Sequence, residues 1–409
     1  MVLPFAALPT PDGSQPHGAI RMALAAVRKH LGMEVAYVSE FVDGRSVFRE
    51  VDAPGLEALI KAGDSRSLDE VYCRHILAGH LPELIADTAD YPLAASMPIT
   101  RAVPIGAHVS VPLRLPDGRA YGMFCCLSPH ANRSLNQRDL QVMRAFAEMA
   151  AHQIGREVEA EEAASQARAE IARVIEQDLF TIAYQPIFSF APFRVMGFEA
   201  LSRFSPQPYR SPDLWFDQAA RAGCGVDLEL AAIRKAVGAF GALPDGVFLS
   251  VNAAPGTIAS GELGQALRGV PMDRLVIEVT EHAAVQDYGR LGAELAAIRR
   301  LGARIAVDDA GTGYAGLQHI LQLQPDIIKF DRAITRALDQ DLARRAMVSA
   351  LRHFARDTGC QIVAEGVETQ PELSALMALG VNKGQGYLIG RPMDLAGAQA
   401  LLVPKRIAA

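Results

Sequence analysis

Four things are scarce in these 409 residues, and each scarcity excludes a class of protein. Cysteine occurs five times, at Cys73, Cys125, Cys126, Cys224 and Cys360, an odd number with no pair at two-residue spacing. That excludes a disulfide scaffold and gives no structural zinc pattern, so the thiols read as small buried hydrophobes of a reducing compartment. Charge of one sign is not in excess: 40 basic against 46 acidic side chains leave −6. Without a continuous basic track, a nucleic-acid polymer is not the expected partner. No uninterrupted apolar run approaches the roughly 18 residues that would span a bilayer. The first residues, Met1 to Gly18, are broken by Pro4, Pro9, Pro11 and Pro16 and show no basic segment before an apolar run, so neither a signal peptide nor a membrane span is expected, and a cytoplasmic location is.

What remains is an ordinary globular composition, with half the residues apolar, long enough for two or three domains or for one small domain and a barrel. In the first third, Ile20, Leu24, Val27 and Leu31 recur at helical spacing and Gly32 ends the run. Extended runs follow over 35–41 and 46–51, a helical pattern over 68–77, and two further extended runs, 107–115 and 120–127, flank Pro116-Asp117-Gly118-Arg119. An Asp-Gly step between such runs is a hairpin signal, and the segment reads as a small antiparallel sheet with helices, an α+β domain over residues 1–155. From Asn136 to Gln177 proline is absent and Gly155 is the single glycine. This predicts a connecting helix over 136–177 whose polar middle is solvated or paired with a second copy.

Residues 178–409 carry a different rhythm. Eight apolar strand candidates occur at 181–187, 195–198, 247–251, 275–279, 304–307, 327–330, 361–364 and 386–389, with helical patterns such as 291–301 and 343–354 between most of them. Their order and length predict a TIM-type β/α barrel. The first two candidates are too close for a crossover helix, so they are expected to be antiparallel.

Polar residues stand where these runs stop: Glu199, Asn252, Glu278, Asp308 with Asp309, Lys329, Glu365, and Gln385 at the start of the eighth. A single glutamate after a strand is usually a solvated helix start. Seven repetitions point instead to the face where such barrels place their chemistry. Five carboxylates in one low-dielectric mouth need cations, and all-oxygen donors favour magnesium, manganese or calcium. Two cations roughly 3.5–4 Å apart, bridged by Asp308, could lower the pKa of a shared water and hold a phosphodiester, with Lys329 stabilising developing charge and Glu365 binding metal or taking the proton.

Glu199-Ala200-Leu201 with Arg203, Asn252 after Leu249-Ser250-Val251, Glu278-Val279-Thr280-Glu281, Asp308-Asp309 with Gly311-Thr312-Gly313-Tyr314, Lys329-Phe330-Asp331, Glu365-Gly366-Val367-Glu368 and Gln385-Gly386-Tyr387 together resemble the EAL family of cyclic di-GMP phosphodiesterases. The resemblance implies a barrel with an antiparallel first strand that opens cyclic di-GMP to linear pGpG with two Mg2+ or Mn2+ ions. It implies metal ligands Glu199, Asn252, Glu278, Asp308, Asp309 and Glu365, catalytic Lys329 and Glu365, and substrate contacts from Arg203, Gln185 and Gln385. Glu281 and Glu368 are expected as supports behind the ligands. Where the family has an aromatic residue after the aspartate pair and two serines after the tyrosine, this chain has Ala310 and Ala315-Gly316. Residues 1–155 resemble a GAF sensor domain through Val71-Tyr72-Cys73-Arg74, Leu81-Pro82-Glu83-Leu84-Ile85 and the 112–127 hairpin. A homodimer and an unidentified small ligand, or none, accompany that resemblance; Cys73 and His75 read as part of a buried helix face.

Two alternatives stand beside an active, sensor-regulated enzyme. One is a silent receptor that captures cyclic di-GMP and signals through the helix. The other is a dehydrogenase suggested by the glycine pattern from Gly311 to Gly316, although that pattern follows two aspartates and lies on the fifth strand rather than the first.

Overall fold

The computed structural model describes residues 16–280, 287–310 and 320–403, without the side chains of 16, 17, 309 and 310. It divides into two compact units, residues 1–162 and 163–409.

The first unit is an antiparallel six-stranded sheet of β1 (Val35–Val42), β2 (Arg45–Asp52), β3 (Ser65–Ser67), β4 (Leu84–Ile85), β5 (Ala107–Arg114) and β6 (Ala120–Ser128), in the order β3-β2-β1-β6-β5-β4. The expected hairpin joins β5 to β6, where Gly118 supplies the positive φ of 84° that the Asp-Gly turn requires. Both faces of β6 are covered. Phe124 and Cys126 face helix α1 (Pro16–Leu31), while Met123, Cys125 and Leu127 pack with the short helix α2 (Tyr72–Leu77). The helical pattern over 68–77 is therefore interrupted, a 3-10 turn at Leu68–Glu70 preceding α2.

Helix α3 (Gln137–Glu176) runs unbroken for 40 residues. Its beginning buries Leu140, Met143, Ala147 and Ile154 in the first unit's core, and its end buries Ile171 and Val174 against Phe180, Phe204 and Trp215 in the second. Residues 159–166 between them are almost wholly exposed. Among the described residues no helix is long and apolar enough to cross a membrane.

The second unit is a closed eight-stranded barrel: β7 (Phe180–Phe190), β8 (Phe193–Phe204), β9 (Phe248–Ala253), β10 (Leu275–Val279), β11 (Arg304–Ala310), β12 (Ile327–Phe330), β13 (Gln361–Ala364) and β14 (Lys383–Gly384). Strand β7 is antiparallel to both of its neighbours and the other contacts are parallel, as the short connection demands. One expectation is corrected: the eighth strand is Lys383–Gly384, and residues 386–389 form a turn. Apolar character at Tyr387, Leu388 and Ile389 suggested a strand, but Gly386 lies so close to the backbone of Val367 that a Cβ would fall 2.2 Å from its N and O atoms. The chain turns there, and Gln385 thus follows its strand instead of opening it.

Alternation along the strands places the site. Ile187, Phe248, Val276, Ala306, Ile327 and Val363 form an apolar layer inside the barrel. Two residues further along β9 to β13, on the same face, stand Ser250, Glu278, Asp308, Lys329 and Glu365. The polar cluster is the next inward-facing layer above that apolar floor. Helices α4 (Leu342–Thr358) and α5 (Gln370–Ala378) flank the seventh strand, α4 starting on an Asp341 cap and α5 on a Thr369–Glu372 capping box.

Candidate active site

Lys329 lies at the centre, 1% exposed. Its Nζ is 2.5 Å from Glu365 Oε1, 2.7 Å from Glu278 Oε2, 3.1 Å from Asp308 Oδ1 and 3.5 Å from Glu199 Oε2. Burial pushes the ammonium toward its neutral form, but the four carboxylates outweigh that effect and hold its pKa well above the ordinary value. The same burial raises Glu278 to about 8 and Glu365 well above the carboxylate range; Lys329 opposes the shift, while neighbouring carboxylates reinforce it. Burial is the largest cause of both upward shifts, and repulsion among the carboxylates that one ammonium faces adds to it.

Amides complete the ring. Asn252 Nδ2 donates to Glu199 Oε1 at 3.1 Å, and Gln385 Nε2 donates to Glu199 Oε2 at 2.5 Å and Glu365 Oε1 at 3.4 Å. Gln385 Oε1 is buried with no hydrogen-bond partner among the described residues. Oxygens of Glu199, Glu278 and Asp308 all lie within 4.8 Å of one another. A close, oxygen-only donor set with excess negative charge and an unsatisfied amide oxygen beside it fits hard divalent cations.

The structure thus brings together Glu199, Asn252, Glu278, Asp308, Lys329, Glu365 and Gln385. Gln185, paired in register with Glu199, is buried at the edge of the cluster and donates to Gly390 O at 3.4 Å. Arg203 shares the Glu199 face of β8 but is four residues further along, donating to Ser202 O at 2.7 Å. Glu281, the 311–316 glycine pattern and the side chains of Asp309 and Ala310 lie outside the described residues.

Glu368 lies apart from the ring: its carboxylate pairs with Arg332 at 3.0 Å, on the surface. The support of that loop is Glu372, one helical turn later and 5% exposed. It accepts from the backbone N–H of Ala337, Glu368 and Thr369 at 2.9–3.0 Å, fixing the stretch that follows Glu365. Burial alone would raise its pKa, but these three donors reverse the sign and lower it. Stability from Glu372 is therefore present above the unfolded carboxylate value of about 4.3 and is lost as pH falls through the depressed value. Glu372→Gln, with one acceptor oxygen for three N–H groups, is expected to cost about 1–3 kcal/mol at pH 7. Urea unfolding should show the gap narrowing in acid; a pH-independent gap would refute the role.

Ser250 was missed in the sequence because it reads as filler between Leu249 and Val251. It is 1% exposed, and its hydroxyl donates to Glu278 Oε1 while Lys329 holds Oε2. Counting back two from Asn252 would have found it. Ser250→Ala frees one oxygen of a candidate ligand and is expected to weaken Mn2+ binding about 10–100-fold, as loss of outer hydrogen bonds does at metal sites. Calorimetric titration checks this, and unchanged affinity would remove Ser250 from the site.

The family model for the EAL domain matches residues 139–392, and that for the GAF domain matches residues 15–154. The chain belongs to the EAL domain family. A Sinorhizobium fredii protein without an assigned function, y4lL, is 32% identical over 230 residues, covering 54% of this chain and 28% of that protein. Cyclic di-GMP phosphodiesterase PA2567 of Pseudomonas aeruginosa is 32% identical over 225 residues, covering 52% and 38%. Among solved structures, the PaMucR phosphodiesterase in complex with c-di-GMP is 27% identical with a TM-score of 0.52, covering 57% of this chain and 99% of the other. The EAL enzyme Bd1971, 19% identical with a TM-score of 0.56 over 90% of this chain, shares the fold. The matched part of this chain spans only 28–40% of the length of the first three curated relatives.

Proposed function

We propose that the barrel is a phosphodiesterase that hydrolyses cyclic di-GMP to linear pGpG with two Mg2+ or Mn2+ ions, and that residues 1–155 regulate it through α3 in a homodimer. The observation that carries the reading is the excess of buried carboxylate around Lys329. Glu199, Asn252, Glu278, Asp308, Asp309 and Glu365 would hold the cations; Arg203, Gln185 and Gln385 would meet the substrate. Bound divalent cations supply positive charge that lowers the pKa of a water and neutralises the phosphodiester. The surrounding carboxylates favour the charged form of Lys329, which would place a positive charge near the attacking oxygen. Glu365 would bind metal or take the proton. Asn252 and Gln385 hold both oxygens of Glu199, so that carboxylate needs little reorganisation.

The curated phosphodiesterase relative and the structural neighbour with bound dinucleotide support the choice of substrate. Purified full chain with Mn2+ or Mg2+ is expected to convert cyclic di-GMP to pGpG. Tight capture without turnover at saturating metal would instead favour the silent receptor. Sedimentation at micromolar concentration tests the dimer, which a monomeric mass would exclude.

A further inference from the structure

The first unit holds a cavity of about 210 Å3 between its sheet and the helices α1 and α3. Its apolar wall comes from Ile20 on α1, Val38 on β1, Tyr121 on β6 and Ile154 on α3. Two carboxylates, Glu50 on β2 and Glu157 on α3, line it as well. An engineered apolar cavity of roughly 150 Å3 binds benzene, so this one has room for a ring with a short arm.

A bulge puts the first carboxylate there. Ser39 pairs with Phe48 and Val38 with Glu50, which leaves Arg49 as an extra residue in β2. Strict alternation would give Glu50 the face of Phe48, which packs on the α2 side of the sheet. The extra residue turns it instead to the face of Val38, beneath α1 and α3. Glu50 is 9% exposed there, and a carboxylate against apolar walls calls for a cation beside it. Its ion-pair partner Arg21 stands at 3.4 Å with a side chain that is 60% exposed, so the contact is long and the guanidinium remains largely in water. Arg49, the cation among the lining residues, is engaged by Glu40, its Nε donating to Oε2 at 2.5 Å. Glu157 Oε1 meets a neutral amide, accepting from Gln153 Nε2 at 2.7 Å. Burial pushes the Tyr121 phenol above its usual pKa; Glu40 and Glu157 add to the shift and Arg49 opposes it. The lining thus combines negative charge in excess with a surface suited to a ring.

We propose that this cavity binds a small primary amine with an aromatic or branched aliphatic body, its ammonium at Glu50 and Glu157 and its body among Ile20, Val38, Tyr121 and Ile154. Charge-assisted hydrogen bonds to two carboxylates fix the ammonium, and apolar burial holds the rest. An occupant touches α3, the helix that continues into the second unit. Any control of the barrel by it rests on the regulation proposed above; the binding itself does not.

The test is calorimetric titration of the full chain with benzylamine, benzyl alcohol and benzoate, which share a ring and differ in charge. Benzylamine is expected to bind at least about tenfold more tightly than benzyl alcohol, the scale of one hydrogen bond to a charged group, and benzoate not at all. Glu50→Gln should erase the preference for the amine. Ile154→Phe fills the space without touching a charge and should weaken amine and alcohol alike, so the proposal stays testable if Glu50→Gln fails to fold; melting curves establish that each variant is folded. No binding of benzylamine, or equal affinity for all three probes, overturns the proposal. So does a preference for the amine that survives both substitutions, which would place it elsewhere, for example at the carboxylates around Lys329. The readout is heat of binding and does not depend on turnover by the barrel.

Discussion

Lys329→Met is expected to lower cyclic di-GMP turnover by about 10²–10³-fold, the scale on which loss of one preorganised electrostatic group acts. Methionine approximates the volume of the lysine, so the apolar floor of Ile327 and Val363 beneath it is not emptied. The charge is what disappears, and Glu199, Glu278, Asp308 and Glu365 lose their common partner. Breaking a buried ion pair by removing one member typically costs about 3–5 kcal/mol. The metal-free variant should therefore melt well below the parent, and Mn2+ should recover much of the difference by binding only the folded state. Initial rates together with melting curves, with and without Mn2+, check this. A variant as active as the parent, or equally stable without metal, would contradict the role.

Glu199→Ala should be at least as damaging to turnover, by about 10³-fold or more, because it removes a candidate ligand and the anchor of two others. Asn252 and Gln385 both donate to this carboxylate, so its loss removes the Asn252 Nδ2 acceptor and leaves Gln385 Nε2 only the 3.4 Å contact to Glu365. Mn2+ affinity is expected to fall by more than the roughly 100-fold that outer contacts can account for. The ammonium remains, so the metal-free variant should be destabilised less than Lys329→Met. That opposite ordering of stability and metal affinity separates the two roles. Rates, calorimetric metal titration and melting curves on both variants measure it.

Much of this was legible because a barrel strand advertises itself twice. Its apolar run marks the wall, and the polar residue that ends it marks the mouth, which is how Glu199, Asn252, Glu278, Asp308, Lys329 and Glu365 stand out across unrelated positions. The antiparallel start followed from a connection too short for a helix. What failed were elements whose composition misstates their packing. Lys383–Gly384 is a strand with no apolar residue, recognisable only from its neighbours Ala364 and Phe188. Tyr387 and Leu388 look like a strand yet are substantially exposed on a turn. Glu368 and Glu372 are both glutamates near a helix start, and their burial, which separates them, depends on where Ala337 arrives from another loop.

The central claim is that the carboxylates around Lys329 hold divalent cations. Diffraction at the manganese absorption edge from crystals of the full chain grown with Mn2+ tests it directly. The account predicts anomalous peaks bounded by Glu199, Glu278, Asp308 and Glu365, which vanish in Glu199→Ala crystals. Peaks confined to surface acids, or none within that ring at saturating Mn2+, would contradict it.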